Sequence, residues 1–178
     1  MSKEAVVALR SALTCLLREI VDGAKAAAEF DLRQKVVPKH VQRAISMDPE
    51  LGSLGAQWLL GIAPSEVRKS GPEEQPVAGE AEGTRKRGVT SHQFLSSIKR
   101  VAGEKGCVLA ADGADTLAAV AAEITGDLTR RADEVARANS REMLRAEDVR
   151  AVVELHLKGE LKVYTLSAID TTMAEAAQ

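Results

Sequence analysis

The residues best suited to chemistry are scattered along this chain. His40, His92 and His156 lie far apart, with no spacing that would gather them on a metal. Cys15 and Cys107 sit in separate apolar contexts and are expected to be small buried hydrophobes. No nucleophile lies beside a base, and no glycine-rich phosphate loop stands out. The expectation is therefore no enzyme, no metal, no cofactor and no small-molecule substrate. His40 is expected to be structural and the other two histidines incidental. What remains is charge. Lysines and arginines number 24 against 26 acids, a net charge of -2, too balanced to imply nucleic-acid binding by itself. Binding would need local basic patches, and Arg85-Lys86-Arg87 is one.

The elements that must position such residues are helical. Apolar residues make up 45% of the chain but aromatics only 2%, so the core must be aliphatic and alanine-rich, which favours packed helices. No apolar run is long enough to span a membrane, and Glu4 stands where a leader peptide would be apolar, so a soluble intracellular protein is expected. Val6, Leu9, Leu13, Leu16 or Leu17, Ile20, Ala24 and Ala27 recur at helical spacing and predict one long helix over residues 3–30. Residues 31–35 break that period. Pro38 opens a short helix over 38–46. Asp48, as N-cap before Pro49, predicts another helix to about Leu54, interrupted by Gly55.

Residues 67–90 lack an apolar period and are rich in Gly, Pro, Glu and Ala, which predicts a flexible linker. Beyond it come a short helix over 92–102 and a long one over 112–138. Leu117, Val120, Ile124, Leu128, Ala132 and Val135 form one face of the long helix. A short helix over 146–157 follows. Gly159 breaks the chain before a last helix with Leu161, Tyr164 or Thr165, Ala168 or Ile169, and Met173. A long helix between short ones cannot bury its own stripe and needs an antiparallel partner across it. Two such units in one chain can supply each other, giving an all-α fold in which two halves clasp.

The run Val36-Val37-Pro38-Lys39-His40-Val41-Gln42-Arg43-Ala44-Ile45 resembles the end of the histone 2A fold, where that family reads IIPRHLQLAI. Asp48-Pro49-Glu50-Leu51 resembles its DEEL, and Glu19-Ile20 falls at the family's spacing upstream. The second half resembles histone 2B, from Phe94 to Val153 without a gap and again at Gly159-Glu160-Leu161, where the family has PGEL. The resemblance implies two histone folds in one chain, pairing as an intramolecular handshake dimer. Residues 1–66 would be the 2A-like fold, 67–90 the linker and 91–178 the 2B-like fold. Fused pairs of this kind are similar to the doublets of some large DNA viruses.

By that resemblance the partner is double-stranded DNA, held by its backbone and by groove-inserted cations without base reading. One edge would join Arg33, Gln34, Lys35 and Val36 to Lys105, Val108 and Leu109, with Lys39 a further DNA-binding candidate. Lys35 stands where the family has a minor-groove arginine, and lysine lacks that flat fork. A second edge would use Arg141, with Arg145 adding a charge and Met143 in place of a hydroxyl residue; Lys99 and Arg100 on the short helix would also meet phosphate. Arg85, Lys86 and Arg87 resemble the basic tail before the 2B fold. Glu19, Asp22, Asp48, Glu50 and Glu160 match the family's acidic patch. Trp58, Leu59, Leu60 and Ile62 would dock a pair or doublet resembling histones 3 and 4.

The family's first short helix and loop are expected to be missing from the first half. One complete DNA edge of three would remain, and the 7–17 stripe would be partly exposed unless another chain covers it. The implied place is the nucleus and chromosome, or a viral particle or factory. The competing expectation is a histone-fold scaffold or mimic that occupies histone chaperones and wraps no DNA.

Overall fold

A computed structural model describes residues 1–51, 53–60 and 91–176. In chain order the helices are α1 (Lys3–Phe30), α2 (Pro38–Met47), α3 (Ser53–Leu60), α4 (Leu95–Glu104), α5 (Ala111–Ala138), α6 (Ala146–His156) and α7 (Gly159–Ala176), with a 3₁₀ turn at Ser91–Phe94 before α4. Among the described residues all regular structure is helical, and the one β contact is an isolated bridge.

Two 28-residue helices, α1 and α5, form the frame. Ser2 caps α1 by accepting the Ala5 N–H at 3.1 Å. The helix ends at Asp31, and Leu32 takes a left-handed φ of 55°. Pro38 opens α2, and the His40 ring accepts the Val37 N–H at 3.2 Å through Nδ1. A single aliphatic core runs through both halves, joining Leu16, Leu17 and Ile20 of α1 to Leu117, Ile124 and Leu128 of α5. Buried alanines on both helices (Ala8, Ala12, Ala24, Ala118, Ala121, Ala132) keep the packing tight without aromatic bulk.

Three expectations are corrected. The third helix begins at Ser53, not at Asp48: Asp48 Oδ1 accepts the Glu50 N–H at 2.8 Å as a cap would, but residues 49–51 form bends rather than a helical turn. Gly55 does not interrupt α3 but lies within it, at a close approach to α2. A Cβ there would stand 3.1 Å from Ile45 Cγ2 and 3.2 Å from its carbonyl oxygen. The 7–17 stripe is not left open. Leu9, Leu13, Leu16 and Leu17 are buried, and α7 and α6 pack on α1. Ser11 and Thr172 hydroxyls meet at 3.1 Å across the α1–α7 contact. Leu161, Thr165 and Ile169 form the inward face of α7, while Tyr164 is exposed.

Candidate nucleic-acid interface

The segment after α1 and the segment after α4 are joined by backbone. The Val36 N–H donates to Val108 O at 2.9 Å, and the Ala110 N–H donates to Val36 O at 2.9 Å. These bonds frame the parallel Val36–Leu109 bridge. Gly113, in the first turn of α5, permits the approach, since any Cβ there would overlap the Val36 carbonyl. Two loops far apart in sequence thus form one edge beside the N-terminus of α5.

On that edge Arg33, Gln34 and Lys35 are exposed, and neither cation makes an ion pair among the described residues. Val108 is exposed beside them. Lys39 is not free: its ammonium lies 2.6 Å from Asp31 Oδ2. Asp31 also meets His40 Nε2 at 3.2 Å and Arg43 at 3.6 Å. The hydrogen bond from Lys39 is the main cause holding the Asp31 carboxyl below its ordinary range, with His40 adding to it. Lys105 departs furthest from expectation. Its ammonium pairs with Asp22 on α1, and its carbonyl accepts Lys25 Nζ at 2.9 Å. The Gly113 N–H is taken by Asp112 Oδ1 at 2.9 Å, so a carboxylate of the chain itself already serves part of the α5 N-terminus.

The other loop, between α5 and α6, holds Arg141 and Arg145. Arg141 is paired with buried Asp148 at 3.0 Å and with Glu147 at 3.3 Å. The second Asp148 oxygen accepts the Arg145 N–H at 2.8 Å, which fixes the start of α6. Arg145 is exposed without an ion pair among the described residues, and Met143 is exposed. The Leu144 carbonyl accepts the Ser2 N–H at 2.9 Å, so the start of α1 lies against this loop. On α4, Lys99 is exposed, and Arg100 faces Glu104 at 3.8 Å. Glu104 also binds Arg18 of α1 at 2.9 Å.

The five acids Glu19, Asp22, Asp48, Glu50 and Glu160 line one cleft, which also takes in Arg18, Arg43 and Lys105. Exposed Phe30, Met47, Val163 and Tyr164 line it as well, and the Arg43 guanidinium lies 4.8 Å above the Phe30 ring. Burial, then the charges of Asp48, Asp22 and Glu50, push the Glu19 carboxyl up. Glu50 is largely committed elsewhere. Its oxygens accept the Glu160 N–H at 3.0 Å and the Leu161 N–H at 2.8 Å, capping α7.

The expected docking anchors are corrected in part. Trp58 is 1% exposed, and its indole N–H donates to Asp127 Oδ2 at 3.3 Å, so it serves the chain's own core. Leu59 packs partly against that core. The Leu60 side chain, Ile62 and Arg85-Lys86-Arg87 lie outside the described residues, as does the expected linker. Sequence reasoning missed the network around Asp127. Arg131 Nε binds both its oxygens at 3.0 Å, while Nη2 donates to Gln57 at 2.6 Å and Nη1 meets His156 Nε2 at 3.3 Å. The four-residue spacing of Asp127 and Arg131 was the available signal. Asp148 and Lys25 were also missed.

Among the described residues no three His, Cys, Asp or Glu are placed to hold a metal, and no helix is long and apolar enough to cross a membrane. No family model matches the chain, and no solved structure matches it. The chain is similar to the histone 2A of Encephalitozoon cuniculi (strain GB-M1), with 46% identity over 59 residues, 33% of this chain. The match spans 46% of that protein, less than half its length. Together with the helical architecture, this similarity supports a histone-fold protein.

Proposed function

We propose that this chain is a fused histone pair, 2A-like then 2B-like, whose halves clasp each other and package duplex DNA without reading its sequence. The observation that carries this reading is the backbone join of Val36 to Val108 and Ala110, with Arg33 and Lys35 exposed on the same edge. Backbone binding to phosphates needs cations on a rigid platform, and that join supplies the platform. Arg145 and Lys99 are further exposed cations, and Arg141 is held in place by Asp148. The similarity to a 2A histone supports the assignment of the first half. On this reading the partners are DNA, a pair or doublet resembling histones 3 and 4, and histone chaperones, and the place of action is the chromosome. Such a protein performs no chemical step and is not an enzyme.

A second reading, a histone-fold scaffold or mimic that wraps no DNA, draws support from the carboxylate partners of Lys39, Arg100, Lys105 and Arg141 and from the net charge of -2. Reconstitution with histones 3 and 4 and duplex DNA, followed by nuclease digestion, separates the two. A protected fragment is expected. No protection at physiological salt would overturn packaging in favour of the scaffold.

A further inference from the structure

Lys105 is the residue at which α4 ends. Its N–H still bonds to Val101 O at 3.1 Å, and Gly106, with φ of 59°, turns the chain away. The Cys107 N–H returns to Ala102 O at 2.8 Å, and the next three residues, 108–110, run to the start of α5. Those residues carry the bonds to Val36. The direction in which the chain leaves Lys105 therefore decides whether residues 108–110 meet Val36 in register.

Two residues of α1 grip Lys105 from outside its own helix. Asp22 takes the ammonium and Lys25 donates to the carbonyl at 2.9 Å. At a spacing of three residues they lie on one face of α1. A lysine serving as a phosphate ligand would present its ammonium to the outer edge, whereas this one, half-exposed, lies against Asp22 of α1. We infer that Lys105 is a positioning residue, clasped at both ends by Asp22 and Lys25, and that this clasp holds the 107–110 segment in register with Val36. Asp22 thereby serves the proposed DNA edge rather than offering a free acid in the cleft. The inference rests on the proposed function only for its consequence, since the clasp itself is a matter of loop order.

The test uses the full chain and the variants Lys105→Met, Asp22→Asn and the double. Amide exchange is followed at Val36 and Ala110, whose N–H groups cross the join, with the α5 amide of Ile124 as a control for folding. Exchange at the join is expected to speed by about two- to fivefold in each single variant, in keeping with one exposed pair. The double should be no faster than the singles, because both remove the same contact. Lys105→Arg should restore the native rate. Unchanged exchange at Val36 and Ala110 would overturn the inference.

Binding to duplex DNA over a range of salt supplies a second readout. The slope of log affinity against log salt should be the same in Lys105→Met as in the native chain. A drop of about one in Lys105→Met but not in Asp22→Asn would make Lys105 a phosphate ligand and overturn the inference. If the native chain bound no duplex, the DNA reading would fail while the exchange result would still decide the clasp.

Discussion

The Glu50 carboxylate accepts the backbone N–H of Leu161 at 2.8 Å, joining residues 111 positions apart. Its other oxygen accepts the Glu160 N–H at 3.0 Å, so one side chain from the first half caps the last helix of the second. Gly159, at φ of 58°, leaves the room that Glu50 occupies, and a Cβ there would overlap the carboxylate.

Loss of this cap should loosen α7. Glu50→Ala is expected to cost about 1–2 kcal/mol, the usual range for a cap, by chemical denaturation. Gly159→Ala should cost more than about 1 kcal/mol, because it strains the backbone and displaces Glu50. Loss of less than a few tenths in both would remove Glu50 from this role.

The core is continuous across the two halves, so damage in one should be felt in the other. Ile124→Ala, in α5, is expected to cost about 2–5 kcal/mol. Trp58 is the single tryptophan and lies in the first half. Its fluorescence should report the same lowered transition as helix content. A Trp58 transition unmoved by Ile124→Ala would mean that the halves fold apart.

Thr165 is fully buried on α7, and its hydroxyl has no hydrogen-bond partner among the described residues. Valine has nearly the same shape and no polar atom. Thr165→Val should therefore stabilise the chain by about 1 kcal/mol. A destabilisation would mean that the hydroxyl is bonded after all.

Burial, and then the Arg131 guanidinium, hold the His156 imidazole below its ordinary range. Asp127 and Glu134 oppose them. The unfolded chain takes the proton first as pH falls, so the stability linked to neutral His156 is present above about 6.5 and is lost below it. Comparing denaturation at about pH 7.5 and about pH 5.5, the native chain should lose more than His156→Gln does. Equal losses would mean that His156 does not titrate differently on folding.

How much of this was legible in the sequence depended on range. The stripes of α1 and α5 are long and regular, so their periodicity alone locates both helices within a residue of where they lie. The meeting of residues near Val36 with those near Leu109 followed from the resemblance alone. What failed was tertiary. Asp48-Pro49 has the form of a helix start, and Asp48 does hold the Glu50 amide as a cap would, yet residues 49–51 bend instead of continuing as helix. Nothing in a periodicity tells that α7 returns over α1, where the Ser11 and Thr172 hydroxyls meet. Lys105 and Trp58 look available by residue type, and each is taken by an acid on a distant helix, Asp22 and Asp127 respectively.

The claim that the joined loops hold the DNA backbone is tested most directly by salt-dependent binding of the chain and its Arg33→Ala/Lys35→Ala variant to duplexes of two unrelated sequences. Each phosphate neutralised contributes about 0.9 to the slope of log affinity against log salt, so loss of two cations should lower it by about 1.8, equally for both sequences. An unchanged slope and affinity in the double variant would contradict the claim.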